Sequence, residues 1–169
     1  MESTVKLYSL AYSNLKTYMF ALIFVAGNIV LPQICHLVPN GGLTLLPIYF
    51  FTLIAAYKYG IRVGLLTALF SPVINHLLFG MPPVAVLPII LIKSGLLAIA
   101  AATAAHYCKK ISLPMIMLAV LAYQVVGTVI EWAMLGNLHL AIQDFRIGIP
   151  GMLIQIFGGY ALLRVIAKI

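Results

Sequence analysis

The chain consists of long apolar runs separated by short polar or turn-forming connections. The runs cover about residues 17–37, 43–59, 61–79, 84–106, 113–135 and 148–167. Each is close to the ~20 residues that a helix needs to cross hydrocarbon, whereas spanning strands would give alternating segments of about ten residues. The pattern therefore predicts an all-α integral membrane protein, with six transmembrane helices in one domain over residues 1–169.

Composition supports a lipid-solvated exterior. Of the 169 residues 64% are hydrophobic and 8% are charged, and the mean hydropathy is +1.14. Soluble domains carry roughly a quarter charged residues. The chain has too little polar surface to cover a water-exposed globule.

The basic residues predict the orientation of the six helices. Nearly all of them fall on one side of a six-span arrangement: Lys6, Lys16, Lys58, Arg62, Lys109, Lys110, Arg164 and Lys168. The other side carries Arg146, offset by Asp144. Because an excess of Lys and Arg marks the cytoplasmic face, both termini are predicted to be cytoplasmic, in a prokaryotic inner membrane. The net charge of +7 thus reflects topology, and no nucleic-acid partner is expected.

One lysine is predicted to lie near the middle of the bilayer. Lys93 falls roughly 14 Å below the outer edge of the fourth span, at about 1.5 Å per residue. An ionised group at that depth is costly and indicates a functional site by default. Gln124 lies at a similar depth, on the same face of the fifth span as Glu131. Two interpretations stay open. Lys93 binds a carboxylate-like or polar ligand, or it is neutralised by Glu131.

Other polar residues fall in the outer half or centre of the predicted bundle, which suggests a cavity open to the outside. The full set of predicted substrate-binding residues is Lys93, Asn75, His76, Gln124, Glu131, Trp132, Asn28 and Gln155. His76 would alternatively satisfy backbone freed by Pro72, and Trp132 would alternatively be an interfacial anchor. The polar connection 137–146 is either a lid over the cavity or an ordinary surface loop.

Small residues recur at a spacing of four on the third and fourth spans. They predict a docking surface for another membrane subunit, or else close packing within the chain. The predicted docking residues are Gly60, Gly64, Ala68, Ala98 and Ala102.

The sequence contains no HExxH, GxSxG or Walker-type motif. We therefore expect neither an enzyme nor a metal or cofactor site, and any ATP-driven step would need separate subunits.

The second and third spans carry the features of a known family. They read Leu46-Pro47-Ile48-Tyr49-Phe50, then Tyr57-Lys58-Tyr59-Gly60, Ser71-Pro72, Asn75-His76 and Gly80-Met81-Pro82-Pro83. Together with the length and the six spans, this resembles the substrate-binding S component of an energy-coupling factor (ECF) vitamin transporter.

The resemblance implies an S-component-like bundle that captures a vitamin or related micronutrient outside the cell. It also implies partners, namely a coupling transmembrane subunit and ATP-binding subunits. One departure is that the first helix has Ala21 and Ala26, five apart, where S components often have alanines four apart for docking. The alternative function is a six-span scaffold of the rod-shape determination type without a small-molecule ligand. An intramembrane enzyme is a third, disfavoured by the missing motifs.

Overall fold

The computed structural model describes residues 7–167, apart from the side chain of Asp144, and all regular structure within them is helical. The helices are α1 (Leu15–Cys35), α2 (Gly41–Leu45), α3 (Phe50–Tyr59), α4 (Ile61–Phe79), α5 (Leu87–Cys108), α6 (Leu113–Leu135), α7 (Leu138–Ile147), α8 (Ile149–Leu153) and α9 (Gly159–Ile166). A 3-10 turn, Pro47–Tyr49, joins α2 to α3, and a π-helical turn, Ile154–Gly158, joins α8 to α9.

Within residues 7–167, six helical segments are long and apolar enough to cross a membrane. Four are α1, α4, α5 and α6, and the other two are the composite segments Gly41–Tyr59 and Ile149–Ile166. Their bounds lie within three residues of those predicted, so the prediction of six helices of spanning length is confirmed. Leucines such as Leu15, Leu22 and Leu77 are at least 70% exposed, as a lipid-facing exterior requires.

The connection predicted between the fifth and sixth spans is itself a helix. α7 covers Leu138–Ile147 and begins where Asn137 accepts a hydrogen bond from the N–H of Leu140, at 3.2 Å. α7 packs on α6. The connection is thus mostly a short helix packed on α6 and not the ordinary surface loop of one alternative, while its role as a lid stays a prediction.

α3 forms the centre of the bundle. Eight of its ten residues are buried, and it contacts α1, α4, α5 and α9. α3 is closely approached by α4, since a Cβ atom added to Gly64 would clash with Ala56. Ala68 and Ala98 have no exposed surface. The small-residue rows at Gly64, Ala68 and Ala98 therefore pack inside the chain.

The second span is broken at Leu46, which takes a left-handed backbone conformation with φ of 48°. The break leaves backbone groups that must find partners inside the bundle, because hydrocarbon offers none. The Asn28 side-chain oxygen accepts a hydrogen bond from the Phe51 N–H at 3.1 Å. The Leu46 carbonyl accepts from the Gln155 amide at 3.5 Å. Two buried amides from the first and sixth spans thus cap the break.

Basic side chains gather at one end of the bundle, where α3, α5 and α9 finish; we name it the basic end. Lys58 and Arg62 there donate to backbone carbonyls of Ile166 and Leu10, at 3.4 and 3.1 Å. Tyr57 donates to the Lys110 carbonyl at 2.8 Å. We name the opposite end, which includes Arg146, the far end. Lys6, Lys168 and the Asp144 side chain, which the orientation prediction also used, lie outside the described residues.

Gly151 lets the sixth span lie close to the second span at the break. A Cβ atom there would lie 2.5 Å from the carbonyl carbon of Leu45. We expect Gly151→Ala to lower the unfolding free energy by about 1–3 kcal/mol, the usual cost of overpacking. The measurement is the melting temperature of the purified protein.

The matched control is Gly95→Ala on α5, where an added Cβ meets nothing within 4 Å. Alanine should stabilise that helix slightly relative to glycine. Equal melting temperatures for the two variants would contradict the close contact at Gly151.

Candidate solute-binding site

A buried ion pair joins α5 to α6. The Lys93 ammonium lies 2.6 Å from a carboxylate oxygen of Glu131, and the two residues are 1% and 8% exposed. Of the two interpretations left open by the sequence, the structure shows the direct pair. Because both residues are buried inside the bundle, this charge-assisted contact is poorly screened by solvent.

Gly127 makes the pair geometrically feasible. A Cβ atom on Gly127 would lie 2.7 Å from Cγ of Lys93 and 3.2 Å from its Cε. The aliphatic stem of the lysine therefore crosses α6 over the glycine and reaches the carboxylate one turn further along. The absence of a side chain at Gly127 thus lets the Lys93 stem pass close to α6 and reach Glu131.

Two further polar side chains on α6, Gln124 and Thr128, have no hydrogen-bond partner in the part of the chain that the structure describes. Gln124 is 1% exposed, and neither its amide nor the Thr128 hydroxyl makes a hydrogen bond to any residue that the structure describes. Gln124, Thr128 and Glu131 share one face of α6 because they are four and three residues apart. We name Lys93, Glu131, Gln124 and Thr128 the α5–α6 polar cluster.

Leaving such groups unpaired is costly, at about 1–3 kcal/mol for each buried donor or acceptor. Buried polar groups in folded proteins nearly always bond to protein, water or ligand. The cluster is therefore equipped to hold a water molecule or a polar solute, with donors and acceptors at Gln124 and a hydroxyl at Thr128.

A second polar group, by contrast, is saturated by the protein. The Asn28 amide donates to the hydroxyls of Thr52 and Ser71, each at 3.1 Å. The Asn75 amide donates to the carbonyls of Asn28 and Ser71, each at 2.9 Å. These bonds tie α1 and α4 to the start of α3. Asn28 and Asn75, predicted to bind substrate, thus use their amide N–H groups in helix packing.

The remaining predicted residues lie elsewhere. His76 contacts the Pro82 carbonyl through Nδ1 at 2.8 Å and so holds the connection after α4. Gln155 accepts from the Tyr123 hydroxyl at 3.1 Å. Trp132 is 45% exposed, next to Glu131 but on the outer surface. Within residues 7–167, no three His, Cys, Asp or Glu side chains group as metal ligands.

A cavity of about 150 Å³ opens at the far end. Its polar lining comes from Gln33, His36 and Asn75, and Ile90 contributes to its apolar wall. Ile90 precedes Lys93 on α5 by about one helical turn. Of the predicted substrate-binding residues only Asn75 lines this cavity, and no residue of the α5–α6 polar cluster does.

The sequence prediction did not include several of these residues. Gln33 is a polar residue inside the first span, so the signal that selected Gln124 would also have selected it. His36 lies at the end of that span and gave no such signal. Gly127 and Thr128 carry no signal of their own, since their role depends on the path of the Lys93 side chain.

We expect Lys93→Met alone to be strongly destabilising, because it leaves the Glu131 carboxyl buried without its counter-ion. The cost should be about 3–5 kcal/mol of unfolding free energy. The double variant Lys93→Met/Glu131→Leu should recover most of it, since both charges are then gone. The measurement is a double-mutant cycle on unfolding in mixed micelles.

The matched control is Arg164→Met, which removes an exposed cation at the basic end that contacts Tyr160 and should change stability by less than about 0.5 kcal/mol. A double variant whose loss equals the sum of the two single losses would contradict a coupled pair.

A comparison of the chain with protein-family models, curated proteins and solved structures finds no match.

Proposed function

We propose that this chain is the substrate-binding membrane subunit of an uptake system for a vitamin or related micronutrient, as the S-component resemblance implies. In this proposal both termini are cytoplasmic, the far end faces the outside of a prokaryotic inner membrane, and the bundle is S-component-like. Six apolar helices and the far-end cavity support it.

The observation that carries the proposal is the buried Gln124 amide, which has no partner among the described residues. Selection for stability alone would favour an apolar side chain there, because an unsatisfied amide destabilises the fold. Sites kept at a cost in stability are typical of binding function. A solute that hydrogen-bonds to Gln124 and Thr128 would explain why these two polar side chains are buried without protein partners among the described residues.

In the proposed binding event the solute enters from the far-end cavity and reaches the α5–α6 polar cluster beside Lys93. The cavity, at about 150 Å³, is smaller than the roughly 300 Å³ typical of small-molecule sites. Binding therefore requires the cavity to widen. His36 and Pro82 both line the cavity. We propose that the chain segments that hold these two residues move apart when the solute binds.

The proposal includes a coupling transmembrane subunit and ATP-binding subunits, because the sequence has no nucleotide-binding motif. Gly64, Ala68 and Ala98 pack inside the chain, so we place docking away from the small-residue rows. α1 is the least buried of the six spans. Its outward face includes Tyr18, Leu22 and Ala26, and we propose that the coupling subunit binds there.

One observation favours a second function of a different class. The Lys93 charge is already neutralised by Glu131, as a purely structural ion pair would be. This supports the alternative of a six-span membrane scaffold without a small-molecule ligand. A scaffold should keep partner binding when both charges are removed, in Lys93→Met/Glu131→Leu, whereas a solute-binding subunit should lose ligand affinity.

The test is a screen of vitamins and related metabolites for a ligand-dependent rise in melting temperature, which binding to the native state must produce. At a ligand concentration of about 100 Kd the stabilisation is about 2.7 kcal/mol. We expect Gln124→Leu to abolish this rise. The ligand-free melting temperature of that variant should be unchanged or higher, because an unsatisfied amide is removed.

Gln155→Leu is the matched control, since Gln155 is equally buried but bonds to Tyr123 and Leu46. It should lower the ligand-free melting temperature. A wild-type protein that no metabolite stabilises would sink the uptake proposal. A ligand response that survives in Gln124→Leu would exclude the cluster as the site.

A further inference from the structure

Two grooves run side by side near the basic end of the bundle. They are separated by an exposed ridge on α5 formed by Ile99, Thr103 and Tyr107, which border both grooves. The first groove has a volume of about 790 Å³ and lies against the corner between α3 and α4. The second has a volume of about 390 Å³ and lies against α6.

Small or apolar residues line most of both grooves. Ala56, Gly60 and Ala102 line the first, which is also bordered by residues 7–9, and residues such as Leu96 and Ala119 line the second. The second groove extends from Leu96 to Tyr107 along α5. That distance is about 17 Å at 1.5 Å per residue, close to half of the ~30 Å hydrocarbon core. Each groove is thus suited to one acyl chain in a single leaflet.

Among the residues that the structure describes, Lys109 is the one lysine or arginine that lines these grooves. It lies with the His106 imidazole at the end of the first groove where α5 finishes. Gly60 and Ile61 line it where α4 begins, and a helix N-terminus favours an anion. The grooves are therefore complementary to an amphiphile with an anionic head group and apolar tails.

We propose that the grooves bind one anionic diacyl phospholipid. Its two chains straddle the ridge of Ile99, Thr103 and Tyr107, and its phosphate lies between Lys109, His106 and the start of α4. Basic pockets between membrane helices bind anionic lipid head groups by the same attraction. The two grooves do not include any residue of the α5–α6 polar cluster. Lipid binding there does not depend on the proposed function.

A partner helix is the competing occupant of the first groove, because Gly60 and Ala102 were predicted to dock a subunit. A helix would fill one groove, whereas the ridge divides two neighbouring grooves, and Lys109 lines the first of them. Lipid fits this paired shape, so the observations favour it.

The test is native mass spectrometry of the protein in detergent with dioleoylphosphatidylglycerol or dioleoylphosphatidylcholine, whose chains are identical. We expect the anionic lipid to be retained at least about fivefold more than the zwitterionic one. Lys109→Gln should remove most of that difference. Ala102→Leu, which fills the first groove, should reduce retention of both lipids.

Arg164→Gln is the matched control, because Arg164 is a cation at the same end that borders neither groove. It should leave retention of both lipids unchanged, and melting temperatures establish that every variant is folded. Equal retention of the two lipids in the wild-type protein would overturn the proposal, as would an equal loss in Arg164→Gln. A photo-crosslinker at position 103 that captures a membrane protein in place of lipid would also overturn it.

Discussion

The bundle depends on the capping of one broken helix inside hydrocarbon. At Leu46 the second span loses its regular hydrogen bonds, and a bilayer supplies no replacement. Asn28 caps one side of the break and Gln155 the other. Because these amides come from the first and sixth spans, satisfying the break also fixes the ends of the chain against α3. Gly151 allows the sixth span to come close enough.

Buried polar residues in this protein fall into two kinds. The group around Asn28 and Asn75 is saturated by hydroxyls and carbonyls of neighbouring helices, so it specifies how the helices pack. The α5–α6 polar cluster has a satisfied ion pair, but the Gln124 amide and Thr128 hydroxyl have no partner within residues 7–167. The first kind explains the fold, and the second supplies the chemistry for a bound solute.

Hydropathy alone predicted six spans, since the length of an apolar run is a local property. The rise of about 1.5 Å per helical residue also predicted that Lys93 and Gln124 lie at a similar depth in the membrane, because depth follows from position along a helix. The break at Leu46 was not predictable in this way. It depends on Asn28 and Gln155, which are 18 and 109 residues distant in sequence. Likewise, spacing identified Gly64 and Ala98 as small but did not distinguish a neighbouring helix from an external partner.

The proposed function requires that the α5–α6 polar cluster binds a small solute. Mass spectrometry of metabolites released from gently purified protein measures such binding. We expect one small polar molecule, near one copy per chain, that is released from the wild type and is missing from Gln124→Leu. Contradiction would come from a folded wild-type protein that releases no such molecule, or from equal release by both proteins.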